Sequence, residues 1–135
     1  MKDRSVILVV DDDRDELLFL SEAFREIGHG NPVAYADGGM LMFDMLHETG
    51  ANRYGLIVLD LNMPGIDGLE TLRKLKQHAE YAHIPVVIYS TSGNEAEKNL
   101  CIQCGAVDFI TKPDSRRGYI TACTRFASLL GLANL

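Results

Sequence analysis

No apolar run in this 135-residue chain is much longer than one β-strand, far short of the roughly 20 residues that a membrane-spanning helix needs. Excess positive charge is missing too. Lys and Arg number 13 against 19 Asp and Glu, and the net charge of -6 argues against broad attraction to nucleic acid or to an anionic membrane. The opening "MKDRSVILVVDDD" does not read as a signal peptide, because its short apolar run ends in three acids. Cysteine is sparse and odd in number (Cys101, Cys104 and Cys123), which speaks for free thiols rather than a disulfide framework. The C-x-x-C pair "CIQC" has no second pair and no nearby His to complete a zinc site, so it reads as part of a buried helix face. His29, His47, His78 and His83 share no spacing and read as solvated surface. Linkers and low-complexity segments are absent as well. With 47% hydrophobic and 24% charged residues, the expectation is one soluble cytoplasmic domain over 1–135, with one core and no output domain.

What is present is an alternation of strand and helix patterns, five times over. The strands are "SVILVV" (5–10), "VAYA" (33–36), "LIVL" (56–59), "PVVIY" (85–89) and "DFI" (108–110). Their continuous, β-branched character implies cover on both faces, as in a parallel sheet. Between them run helical spacings: Leu17, Leu20, Phe24 and Ile27; Leu41, Met42, Met45 and Leu46; Leu69, Leu72 and Leu75; Ala96, Leu100, Cys101 and Cys104. Tyr119, Ile120, Cys123, Phe126 and Leu130 mark the last helix. Five such units predict an α/β fold, a doubly wound parallel sheet with right-handed crossovers. The apolar tail "FASLLGLANL" exceeds one helix face, and fits either a homodimer or a longer helix on its own sheet.

Ligands of such sheets bind beyond the carboxyl ends of the strands. The residues there are Asp11 and Asp12, Asp37 and Gly38, Asp60, Ser90 and Thr91, and Thr111 and Lys112. Helix capping accounts for Asp13, Asp15 and Glu16, with Asp13 and Glu16 as a capping box, and for Asp67 with Glu70. It leaves Asp11, Asp12 and Asp60 without a structural role. If strands one and three are neighbours, these three carboxylates meet. Each pair at ~4 Å then costs about 4 kcal/mol at an effective dielectric of ~20. A hard cation among oxygen ligands relieves that cost, and Mg²⁺ suits the set better than zinc. Lys112 adds an ammonium and Ser90 a hydroxyl, which together describe a phosphoryl-transfer site with Asp60 as the attacking group. The backbone carbonyl of Asn62 points where a metal could use it.

The motifs "ILVVDDD", "LIVLDLNMPG", "PVVIYSTS" and "DFITKP", in this order and spacing, resemble the receiver domain of two-component response regulators, most simply the single-domain chemotaxis type. The resemblance covers nearly the whole chain. It implies a (βα)5 flavodoxin-like fold with strand order 2-1-3-4-5. It also implies that a sensor histidine kinase or a histidine phosphotransfer protein supplies the phosphoryl group to Asp60. Asp12 would ligate Mg²⁺ directly, Asp11 through water, and Asn62 by its carbonyl. Ser90 would be the switch hydroxyl, Lys112 the active-site lysine followed by a cis Lys-Pro peptide, and Phe109 the aromatic that swings inward. Such a protein is a signalling phosphoacceptor, catalysing only its own phosphorylation and dephosphorylation. It presents helix 4, strand 5 and helix 5 to a partner or to a second copy of itself. "STSGNEAE" and "DELLFLSEAF" are similar to stand-alone regulators paired with phytochrome-type kinases.

Departures from the family pattern carry expectations too. Ser90 replaces the commoner Thr, and Thr91 stands where Ala or Gly is frequent, which should narrow water access and slow phosphate loss. Phe109 lacks a hydroxyl, so packing alone sets its rotamer. A haloacid-dehalogenase-type phosphatase would need an acid where Asn62 stands, and a flavodoxin would need a hydroxyl- and Gly-rich loop in place of "DDDRDE".

Overall fold

In the computed structural model, residues 4–63, 67–91 and 93–131 are described. Five strands alternate with five helices: β1 (Val6–Val10), α1 (Arg14–Glu26), β2 (Val33–Ala36), α2 (Gly39–Thr49), β3 (Tyr54–Asp60), α3 (Gly68–Gln77), β4 (Val86–Ser90), α4 (Glu95–Gln103), β5 (Asp108–Thr111) and α5 (Arg116–Leu130). A 3₁₀ turn at Ala51–Arg53, which periodicity did not reveal, precedes β3. All pairings are parallel and the order is β2-β1-β3-β4-β5, as the family resemblance implied.

The strands form where β-branched residues cluster, and their continuity follows from burial on both sides. Every residue of β1, β3 and β4 is buried, whereas the edge strands β2 and β5 are mostly half-exposed. Side chains alternate across the sheet. Leu8, Val10, Ile57, Leu59 and Ile88 join Met42, Leu46, Leu72, Leu75 and Cys101 under α2, α3 and α4. Ile7, Val9, Val58, Val87 and Tyr89 join Leu20, Phe24, Cys123, Phe126 and Leu129 under α1 and α5.

Three local expectations change. Asp13 does cap α1, accepting from the Asp15 amide at 3.0 Å, but Glu16 does not close a capping box because its carboxylate turns inward to two tyrosines. His29 is half-buried, its ring 5.2 Å from that of Phe24, rather than solvated surface. Ala96 and Leu100 face solvent, so Cys101 alone of α4 is fully buried. At the C-terminus Phe126, Leu129 and Leu130 pack on their own sheet, and residues 132–135 of the apolar tail lie outside the described residues. Among the described residues no helix is long and apolar enough to cross a membrane.

Candidate functional site

The register of the central strands builds the site. Val10 pairs with Leu59, so the next residues, Asp11 and Asp60, emerge side by side at the carboxyl edge. Asp60 and Ser90 are the last residues of β3 and β4, one position earlier relative to the strand ends than periodicity suggested. Carboxylate oxygens of Asp11, Asp12 and Asp60 lie within 4.8 Å of one another, with Asp11 and Asp60 buried and Asp12 exposed.

Each buried acid is fixed by an amide two residues on. The Asp13 N–H donates to Asp11 Oδ1 at 2.9 Å, and the Asn62 N–H to Asp60 Oδ1 at 3.1 Å. The other oxygens face Lys112, whose Nζ lies 2.8 Å from Asp11 Oδ2 and 3.5 Å from Asp60 Oδ2. Lys112 reaches them because its own amide donates to the Ser90 carbonyl at 2.8 Å, extending the β4–β5 ladder to the rim.

Burial pushes the Asp11 carboxyl above its ordinary range, the Asp60 charge adds to this, and Lys112 and the Asp13 amide oppose it. Burial alone would lower the Lys112 ammonium, but the hydrogen bond to Asp11 and the charges of Asp11, Asp60 and Glu16 outweigh it and hold it high. One ammonium cannot balance three carboxylates, so the cluster stays net negative. Hard oxygen donors in that state fit a hard divalent cation.

Ser90 is fully buried, and the Asn62 side-chain amide donates to its hydroxyl at 3.1 Å. That bond gives Asn62 a second role, which sequence reasoning assigned only to its carbonyl. Phe109 is half-buried against the α4 side of the core, with the Lys98 ammonium 5.7 Å from its ring centroid. Beyond Asp60, the Gly68 amide donates to the Leu61 carbonyl at 2.9 Å. Gly68 sits so close that a Cβ there would fall 2.5 Å from Leu61 Cα and 2.6 Å from the Asp60 carbonyl oxygen. Pro64, Gly65 and Ile66 lie outside the described residues. The expected cis Lys112–Pro113 bond is corrected: no described peptide is cis. Lys112–Pro113 is trans, the form that most X–Pro bonds take in folded proteins.

The model for the response regulator receiver domain matches residues 7–123. The chain belongs to the response regulator receiver family. Among similar proteins, PilH of Pseudomonas aeruginosa is 33% identical over 107 residues, covering 79% of this chain and 84% of that one. The cyclic di-GMP phosphodiesterase response regulator RpfG of Xanthomonas campestris is 31% identical over 123 residues, 91% of this chain but only 32% of its own length. The receiver thus spans about a third of that longer relative. Among solved structures, the phosphorylated cyanobacterial phytochrome response regulator RcpA superposes with a TM-score of 0.83 at 26% identity, covering 98% of this chain and 96% of that one.

Proposed function

We propose that this receiver takes a phosphoryl group on Asp60 from a sensor histidine kinase or a histidine phosphotransfer protein and passes the signal through its α4–β5–α5 surface. The observation that carries this reading is Asp60 beside Asp11 and Asp12, with the Lys112 ammonium 3.5 Å from its Oδ2. In the step, an Asp60 carboxylate oxygen forms a bond to phosphorus while the bond from phosphorus to the donor's leaving group breaks, and that group departs with the electron pair. The Asn62 amide holds Asp60 in place, and Lys112 pairs with the phosphoryl oxygens as charge gathers on them. Mg²⁺ held by Asp12, Asp60, the Asn62 carbonyl and, through water, Asp11 would supply further charge neutralisation.

A phosphoryl group adds up to about two negative charges. Ser90 then exchanges its bond from Asn62 for one to a phosphoryl oxygen, and Phe109 moves into the space its loop vacates. Moving a population from 1:99 to 99:1 takes roughly 5.5 kcal/mol, which charge-assisted contacts from Ser90 and Lys112 can largely meet. Leu100, Ile102 and Val107 are exposed on and just after α4, which suits this face to a protein partner or a second copy. Residues 1–135 act as one receiver unit in the cytoplasm, a signalling domain rather than an enzyme with external substrates. The likeness to RcpA favours a phytochrome-type kinase as the source.

The test is incubation with acetyl phosphate and Mg²⁺ followed by intact mass. The native chain should gain one phosphoryl mass and Asp60→Asn none. Beryllofluoride should shift the Ser90 and Phe109 amide resonances, and unshifted amides there would refute the switch.

A further inference from the structure

Beneath the acidic cluster, on the α1–α5 side of the sheet, lies a buried carboxylate whose charge helps to hold the Lys112 ammonium high but which makes no direct contact in the chemistry above. Glu16 is 8% exposed. Its Oε2 accepts from the Tyr89 hydroxyl at 3.0 Å and its Oε1 from the Tyr119 hydroxyl at 2.6 Å. Burying a carboxylate is costly unless donors satisfy it, and here two phenols converge from β4 and α5. Both phenols are pushed upward, by burial first and then by Glu16 itself, so they remain protonated donors. Helix capping does not require Glu16, since Asp13 performs it.

Tyr89 links this carboxylate to the site. Its side chain is fully buried, its ring meets Phe126 edge-on at 5.5 Å, and the Lys112 Nζ lies 5.6 Å from its centroid. That last distance is within cation–π range. A lysine stem has many rotamers, and holding one is entropically costly. Asp11 and Asp60 fix the ammonium from the rim. The Tyr89 ring backs it from below, and the ring's tilt is set at the hydroxyl by Glu16 and at the edge by Phe126.

We propose that Glu16 is a positioning residue for Lys112, holding the Tyr89 ring so that the ammonium stays aimed at Asp60. The proposal rests on Asp60 as the phosphoacceptor.

Two measurements test it on the full chain: the rate of phosphoryl gain from acetyl phosphate with Mg²⁺, and the ring-current displacement of the Lys112 ε-methylene resonance in lysine-labelled protein without Mg²⁺. Glu16→Ala and Tyr89→Leu should each slow phosphorylation by about tenfold or more, as loss of an outer supporting group does elsewhere. Both should move the Lys112 resonance toward that of an exposed lysine. Tyr89→Phe keeps the ring but not its anchor and should fall between. Cys123→Ala opens a cavity on the same side of the sheet and should cost stability while leaving rate and resonance alone. A native rate and resonance in Glu16→Ala would overturn the proposal, as would an equal slowing by Cys123→Ala at equal stability. Should Glu16→Ala fail to fold, Glu16→Gln and Tyr89→Phe carry the same comparison. Failure of the native chain to gain phosphate would refute the phosphoacceptor reading instead, and the Lys112 resonance would still report on the positioning.

Discussion

The helices α4 and α5 flank the same edge strand, yet they are anchored very differently. Helix α5 buries Ala122, Cys123, Phe126, Leu129 and Leu130, and its Tyr119 hydroxyl is tied to Glu16 of α1. Helix α4 buries Cys101 alone and leaves Leu100 and Ile102 in solvent. The stiff helix stands behind the lysine, and the loosely held one stands behind the hydroxyl and the aromatic proposed to move. A switch needs both: a fixed frame for the chemistry and an element whose displacement costs little.

The largest effect should come from attacking the stiff side. Phe126→Ala removes a fully buried ring and should cost about 3–5 kcal/mol in urea unfolding. Leu100→Ala on α4 should change stability by no more than about 0.5 kcal/mol. Equal costs would erase the distinction between the helices.

Divalent metal should come next. If Mg²⁺ binds among Asp11, Asp12 and Asp60, a hundredfold excess over its dissociation constant should add about 2.7 kcal/mol to the unfolding free energy. Asp12→Asn should abolish most of that gain. Because the ligands sit at the ends of β1 and β3, local opening of α4, read by amide exchange, should barely slow. A metal that protected α4 more than α1 would reverse the assignment of fixed and mobile halves.

Gly93, just before α4, gives a smaller effect. A Cβ on Gly93 would lie 2.6 Å from Phe109 Cζ, at the end of a rigid ring. Gly93→Ala should cost about 1–3 kcal/mol by overpacking and displace the Phe109 ring resonances. A neutral substitution with native ring shifts would show that Phe109 already leaves that position freely.

Much of this division could be read from the chain. Continuous β-branched runs placed the strands, and the acids left over after capping pointed to Asp11, Asp12 and Asp60. The order of the strands came from the family resemblance, since periodicity alone does not say which strands are neighbours. Glu16 was hidden because a capping box explained it locally, and local sufficiency conceals a side chain that turns inward. Tyr89 read as one more apolar strand residue, although its hydroxyl needed a buried acceptor. The Asn62 bond to Ser90 joins residues 28 apart in sequence and depends on how β3 and β4 align, which no spacing encodes. The looseness of α4 was also illegible, because its small apolar stripe looks alike whether it faces the core or solvent.

Two cysteines offer the finest probe of the contrast, since the same side chain is buried on each helix. Cys101 on α4 and Cys123 on α5 are both almost wholly enclosed. Burial pushes the Cys123 thiol up to about 12, and burial together with Glu97 and Cys104 raises that of Cys101. Neither is therefore reactive in place near neutral pH, because alkylation requires the thiolate. Each must react through an opened state, in which a free thiol titrates near about 8.5. Rates at both sites should accordingly rise with pH between about 7 and 9 while their ratio stays constant. Half-exposed Cys104 should be modified first, Cys101 next through local opening of α4, and Cys123 only at the rate that global unfolding allows. Urea well below the unfolding midpoint should accelerate Cys123 more steeply than Cys101, because more surface is exposed when it opens. Equal rates and equal urea dependence would mean that α4 and α5 open together, and the loose helix would then be no looser than its neighbour.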